Sequence, residues 1–253
     1  MLVDYHIHGM GHGATAHELV ILQDFVMQAQ KLQVAEVGFA EHDDYLHEIN
    51  WRNFKELSLQ VTGIKIKVGL EVEYLPGEEQ KTAARLAPFS FDYLIGSVHR
   101  IGDWMFDHPD FLDGYSLWDT DDLYLAYFAL LTQAVQSGLF DIVGHLDLIK
   151  VFGYRPTFCI ERVIAPLLAA IKQSKMAVEI NTNGLNKPVR EIYPHPLILE
   201  SCYQLNIPVT LGSDAHQADE VGRQLNFARE LALEIGYRQL VCFTQRKQYT
   251  IPL

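Results

Sequence analysis

The sequence predicts an α/β fold, a closed TIM-like barrel of seven β/α units with its site at the C-terminal ends of the strands. Three observations lead there. β-prone and helix-periodic stretches alternate along all 253 residues, which is the pattern of a parallel sheet wrapped by helices. No linker, low-complexity tract or repeat divides them, so residues 1–253 read as one domain. Ligand-type side chains stand at the ends of six of the strands, where barrel enzymes build active sites.

The first strand runs to His8 and breaks into Gly9-Met10-Gly11-His12. Residues two apart on a strand share a face, so His6 and His8 project together. Thr15-Ala16-His17-Glu18 has the form of a capping box, and Leu19, Leu22, Val26, Ala29 and Leu32 keep helical spacing behind it. Val34 to His42 is the second strand. After a helical or irregular piece from Asn50, Ile64 to Tyr74 is the third, carrying Glu71 and Glu73. Pro76-Gly77 turns the chain into a short helix over Glu78 to Leu86.

Phe91 to His99 is the fourth strand, followed by an aromatic and Asp-rich segment, Gly102 to Trp118, expected to wall or cover the site. A helix opens at Thr120 with Asp121 and Asp122 in its first turn and closes at Gly138. Phe140 to Asp147 is the fifth strand, with His145 near its end. Thr157 to Lys175 is helical, with Pro166 expected to kink it or mark a second start. Met176 to Thr182 and Ile207 to His216 are the sixth and seventh strands, separated by a helix around His195 to Leu205. Asp219 to Ile235 is the last helix, and the tail from Gln239 predicts a β-ribbon outside the repeat.

The charge balance limits the partners. A net charge of -12 and a pI near 5.3 disfavour a grip on nucleic acid backbone. Cys159, Cys202 and Cys242 are odd in number and lack a CxxC spacing, as expected of reduced thiols in a cytoplasmic protein. The chain begins directly in the His strand, without a basic and apolar leader, and holds no bilayer-length apolar run. No membrane partner is expected.

The candidate ligands are His6, His8, His12, His42, Glu71, His99, His145, Asp214 and His216. That set exceeds what one four- to six-coordinate ion requires and suits two or three, with Glu71 bridging. Imidazole with carboxylate favours Zn, Fe or Mn over Mg or Ca. Paired ions about 3.5–4 Å apart lower the pKa of a bridging water and clamp an in-line displacement at phosphorus. Glu71, Asp214 and His216 are also the catalytic candidates.

Read in order, Asp4-Tyr5-His6-Ile7-His8, Phe39-Ala40-Glu41-His42, Gly69-Leu70-Glu71-Val72, Gly96-Ser97-Val98-His99, Gly144-His145-Leu146-Asp147, Glu179-Ile180-Asn181-Thr182 and Gly212-Ser213-Asp214-Ala215-His216 resemble the PHP (polymerase and histidinol phosphatase) domain family, monofunctional phosphatase type. The resemblance spans nearly the whole chain, and the set is specific where no single member is. It implies a distorted seven-stranded barrel with three metals: His6, His8, Glu71 and Asp214 for the first, Glu71, His99 and His145 for the second, and His12, His42 and His216 for the third. It implies a metal-dependent phosphomonoesterase acting on L-histidinol phosphate through a metal-bridging hydroxide.

The chain also departs from that pattern. The gap before the third histidine is short, which leaves His17 as a rival to His12. Asn186 stands where the family often has Arg; if that Arg helps hold phosphate, Lys187 or Arg190 must compensate or the substrate differs, with Arg155 as a further phosphate candidate. Other readings are a phosphodiesterase or exonuclease, an amidohydrolase with Glu71 in place of a carboxylated Lys, and a non-catalytic metal-bound regulatory domain. His47, His108 and His195 read as surface or satisfied core residues, and Tyr124, Tyr127 and Phe128 as packing. Asp107, Asp103 and Trp104 read equally as substrate contacts or a solvated loop. Asp147 reads equally as support for His145 or as a helix cap.

Overall fold

The computed structural model describes residues 1–13 and 16–253. Seven parallel strands form one sheet in the order β1 (Leu2–Ile7), β2 (Val34–His42), β3 (Lys65–Glu73), β4 (Tyr93–Ser97), β7 (Ile142–Val143), β8 (Ala177–Asn181) and β9 (Val209–Gly212). The sheet nearly closes on itself. His8 N–H donates to the Ala215 carbonyl at 2.7 Å, and Ile7 bridges Ala215 in parallel sense just beyond β9. Two pairs of short antiparallel strands lie outside this sheet: β5 (Arg100–Ile101) with β6 (Trp104–Met105), and β10 (Gln239–Thr244) with β11 (Lys247–Pro252).

The helices are α1 (Leu19–Lys31), α2 (Trp51–Gln60), α3 (Glu79–Leu86), α4 (Thr120–Gln136), α5 (Ile160–Ser174), α6 (Pro196–Gln204) and α7 (Leu225–Ile235). α3 buries only Thr82 and Leu86, but most of the helices bury an apolar stripe. On α4 it is Leu123, Tyr124, Tyr127, Phe128, Leu131 and Val135, so the aromatic residues at helical spacing are packing residues. Asp119 caps α4, its carboxylate accepting from the backbone N–H groups of Asp121 and Asp122.

Several boundaries differ from expectation for physical reasons. Thr15 lies outside the described residues, and α1 begins at Leu19 without a side-chain cap. Pro166 does not divide α5. The buried Ile164, Leu167, Leu168 and Ile171 hold one helix through it. The last helix starts at Leu225 instead of Asp219. Gly222 and Gln224 take positive φ there, and the Gly222 N–H is drawn to the Asp4 carboxylate at 2.8 Å. The expected ribbon after Gln239 is β10–β11, which packs under the N-terminal ends of the strands. Phe243 N–H donates to Tyr5 Oη at 3.0 Å, and Lys67 Nζ donates to Thr244 Oγ1. That end is sealed, and the polar clusters gather at the other. No described helix is long and apolar enough to cross a membrane.

Candidate metal centre

The barrel places its histidines by strand register. His6 and His8 leave β1 on one face and are fully buried. His42 ends β2 directly beside Glu71 of β3. His99 and His145 each follow their strand, β4 and β7, by two residues, and Asp214 and His216 follow β9. Asp214 has φ +54, a left-handed backbone that a short acidic side chain tolerates and that turns its carboxylate toward the cluster.

Glu71 is the hub. Its Oε1 lies 2.9 Å from His145 Nε2 and 3.3 Å from His99 Nε2. Its Oε2 lies 2.9 Å from His42 Nδ1, 3.4 Å from His6 Nε2 and 3.6 Å from His8 Nε2. The two oxygens therefore address different imidazoles, which is the geometry of a carboxylate shared between neighbouring ions. Asp214 Oδ1 closes the far side, 3.4 Å from His8 Nε2 and 4.0 Å from His6 Nε2.

A second layer of carboxylates holds the rings from behind. Glu179 Oε1 takes His6 Nδ1 at 2.7 Å while its Oε2 accepts the backbone N–H of His145 at 2.8 Å. Glu73 Oε2 takes His99 Nδ1 at 2.6 Å, so Glu73 supports a ligand on the same strand face as Glu71. Gly212 makes the Glu179 contact possible. A Cβ there would overlap Glu179 Oε1 and come within 2.7 Å of His6 Cβ. Glu179 was not singled out as a site residue from sequence. The available signal was a carboxylate inside the apolar strand Met176 to Thr182.

The electrostatics suit bound cations. Burial alone would push the Glu71 carboxyl up, but His6, His99, His42 and the hydrogen bond from His145 hold it well below the usual carboxylate range. Burial opposes ionisation of Asp214 too, and His6, His8 and His216 outweigh it. Burial, with His42 and His216 nearby, pushes His8 well below the ordinary imidazole value. Among the described residues, the buried nitrogens His6 Nε2, His8 Nε2, His42 Nε2, His145 Nδ1 and His216 Nε2 have no hydrogen-bond partner. Unpartnered imidazole nitrogens around two ionised carboxylates are a divalent-metal donor set. Four triplets of donor atoms lie within 4.8 Å of one another: His6/His8/Glu71, His6/His145/Asp214, Glu71/His99/His145 and His8/His42/His216.

His12 and His17 are separated clearly. The His12 ring lies 4.1 Å from His216 and 5.1 Å from His42, although its nitrogens belong to none of those triplets. His17 is buried elsewhere, with Nε2 2.7 Å from Glu41 Oε1 and Nδ1 accepting from Asn50 N–H. Asp147 neither supports His145 nor caps its own following turn. Its carboxylate accepts the His195 N–H at 2.9 Å and pairs with the buried Lys150 at 2.7 Å.

The cluster floors a cavity of about 680 Å³, whose lining includes His12, His42, Glu71, His99, His145, Asp214 and His216. Lys187 lines it. Arg155 and Arg190, the other two expected phosphate ligands, are not among its lining residues. Arg155 is tied to Glu191 at 2.5 Å, and the exposed Arg190 reaches only the Leu185 carbonyl at 3.5 Å. The segment after β4 does form a wall, through Met105, Asp107, His108 and Pro109. Asp107 Oδ1 is buried there without a hydrogen-bond partner among the described residues, whereas Trp104 Nε1 donates to the Phe111 carbonyl. His108 thus sits at the cavity despite its surface-like sequence context, its Nδ1 accepting from Asp110 N–H at 3.2 Å.

Residues 4–183 match the PHP domain family. A protein of Deinococcus radiodurans named "Probable histidinol-phosphatase" is 40% identical over 184 residues, covering 73% of this chain and 70% of that one. The histidinol-phosphatase of Bacillus subtilis is 30% identical over 213 residues, 77% of this chain and 76% of that one. The crystal structure of histidinol phosphate phosphatase from Lactococcus lactis, complexed with zinc, L-histidinol and phosphate, superposes with a TM-score of 0.79. It is 26% identical and covers 98% of both chains.

Proposed function

This chain belongs to the PHP domain family, and from that premise we propose that it is a metal-dependent phosphomonoesterase hydrolysing L-histidinol phosphate to L-histidinol and phosphate. The observation that carries the reading is Glu71, a buried carboxylate whose two oxygens face separate groups of imidazoles at the floor of an open cavity.

His6, His8, Glu71 and Asp214 would hold one divalent ion, and Glu71, His99 and His145 a second. His42 and His216, with His12 or His8, would hold a third. Zn, Fe and Mn suit these donors. When bound, such ions provide water of near-neutral pKa and neutralise charge on phosphoryl oxygens. The protein's part is to fix donor geometry and proton traffic. Glu73 and Glu179 lock the tautomers of His99 and His6. Asp214, held ionised, can accept a hydrogen bond from the attacking water and so orient it, and a water of the open cavity can protonate the leaving alkoxide. On the wall, the unpartnered Asp107 oxygen suits a cationic group on the substrate, as the amine of histidinol phosphate would be. The reaction belongs to histidine biosynthesis in the cytoplasm, with residues 1–253 acting as one barrel.

Glu71→Ala, checked for retained secondary structure by circular dichroism, tests the reading. Turnover should vanish together with bound metal. Wild-type turnover in a folded Glu71→Ala protein would contradict it, and a preference for diesters over monoesters would move the substrate class.

A further inference from the structure

We propose that Arg100 is the side chain that grips the substrate phosphate in this cavity, with Lys187 as its partner; the inference rests on the phosphomonoesterase reading and extends it. Four Lys and Arg side chains line the cavity: Lys81, Arg85, Arg100 and Lys187. Two are already committed. Lys81 Nζ lies 2.7 Å from Glu78 Oε2, and Arg85 is clamped on the Asp43 carboxylate while donating to the Asp43 carbonyl at 3.2 Å. Among the described residues, the side chains of Arg100 and Lys187 have no ion pair or hydrogen bond. With Arg155 spent on Glu191 and Asn186 bonded to Gln224 at 2.8 Å, these two are the uncommitted cations at the centre.

The backbone explains why Arg100 faces inward. Residues 100–105 form a two-stranded ribbon in which Arg100 pairs with Met105 and Ile101 with Trp104. The turn between them uses Gly102 at φ +60, a conformation that favours glycine. Cross-strand pairs share a face, so Ile101 and Trp104 pack on the core while Arg100 and Met105 take the cavity side. The ribbon starts from a fixed point, because the preceding His99 is pinned by Glu73 through its ring and its own N–H. Lys187 approaches from the loop after β8, two strands round the barrel. There it lines the cavity together with His12 and His216 of the third histidine group.

A guanidinium offers a planar fork of N–H donors that matches two phosphoryl oxygens, and an ammonium adds a point charge. Arg100 would therefore set the orientation of the phosphate, and Lys187 would add attraction with little directional demand. Arg100 lines the same cavity as Glu71, His99 and His145, so one phosphate bound there can be shared between the fork and these donors.

The test is calorimetric titration of the metal-loaded protein with inorganic phosphate and, separately, with L-histidinol. Arg100→Ala should raise the phosphate Kd about 10- to 100-fold, as expected for lost charge-assisted hydrogen bonds. Arg100→Lys should fall between, Lys187→Ala should show a smaller rise, and L-histidinol binding should move less than about twofold. Lys81→Ala is the control, with phosphate binding held within about twofold because its charge is already paired. Metal content is measured throughout. Wild-type phosphate affinity in a fully metallated Arg100→Ala protein would overturn the inference. So would loss of metal in that variant, which would make Arg100 a support for His99. A wild-type protein that binds phosphate through Arg100 yet leaves L-histidinol phosphate intact would refute the substrate reading and uphold the phosphate site.

Discussion

Glu179→Gln should weaken metal binding about 10- to 100-fold without unfolding the barrel. Both Glu179 oxygens are engaged in a fully buried setting, one on His6 Nδ1 at 2.7 Å and one on His145 N–H at 2.8 Å. Glutamine keeps the shape but has one acceptor and one NH₂. If the NH₂ turns toward His145, two donors face each other and a buried N–H loses its partner, a cost of about 1–3 kcal/mol. If it turns toward His6, it favours the tautomer with hydrogen on Nε2, the nitrogen needed for metal. Loss of a carboxylate behind a ligating histidine commonly costs 10- to 100-fold in metal affinity, and each factor of ten is about 1.4 kcal/mol, so the two routes agree in size. Chelator-competition titration with Zn or Mn reads the affinity directly, and turnover against free metal gives the same curve in another form. Activity at saturating metal should approach the wild-type value. Superimposable metal titrations for the two proteins would refute the claim that Glu179 positions the centre.

Other perturbations follow from the same geometry. Gly212→Ala would drive a methyl into Glu179 and within 2.7 Å of His6 Cβ; overpacking of this kind costs about 1–3 kcal/mol, visible as a lower Tm together with reduced metal content. His12→Ala should reduce metal stoichiometry or turnover with little change in Tm. His17→Ala should do the reverse, losing about 1–3 kcal/mol of stability with the buried Glu41 contact while keeping metal; the opposite pattern would exchange their roles. Metal uptake should release protons near neutral pH. Burial alone would lower His6 and His99, but Glu179 and Glu71 for the first, and Glu71 and Glu73 for the second, raise both well above the ordinary imidazole value. These rings are therefore protonated without metal and must deprotonate to ligate, so metal affinity falls as pH falls. Calorimetry in two buffers of different ionisation enthalpy counts the protons, and a pH-independent affinity would contradict the sign.

The barrel was legible because its signals are local. Strand and helix periodicities alternate with caps and glycines, and strand phase alone puts His6 beside His8, whereas the β2–β3 register that sets His42 level with Glu71 comes from the fold. What sequence left open depends on contacts between distant residues. Glu179 reads as an odd charge in an apolar strand until the fold brings it to His6, 173 residues away. On paper Arg155 is a candidate phosphate cation and Arg100 carries no signal. Only the loop paths decide that Glu191 takes the first and that the second reaches the cavity. Asp147 looked like a partner for His145 by proximity in sequence, yet the closer acquaintance in space is Lys150, buried with it. The start of α7 slipped from Asp219 to Leu225 because Asp4, at the far end of the chain, claims the Gly222 N–H.

The most direct measurement is phosphate release from L-histidinol phosphate by the purified protein, before and after chelator stripping, with Mn, Fe or Zn added back. The account predicts turnover that disappears with the metal and returns with it. Undiminished turnover in the stripped protein, or no release from this substrate with all metals restored, would contradict it.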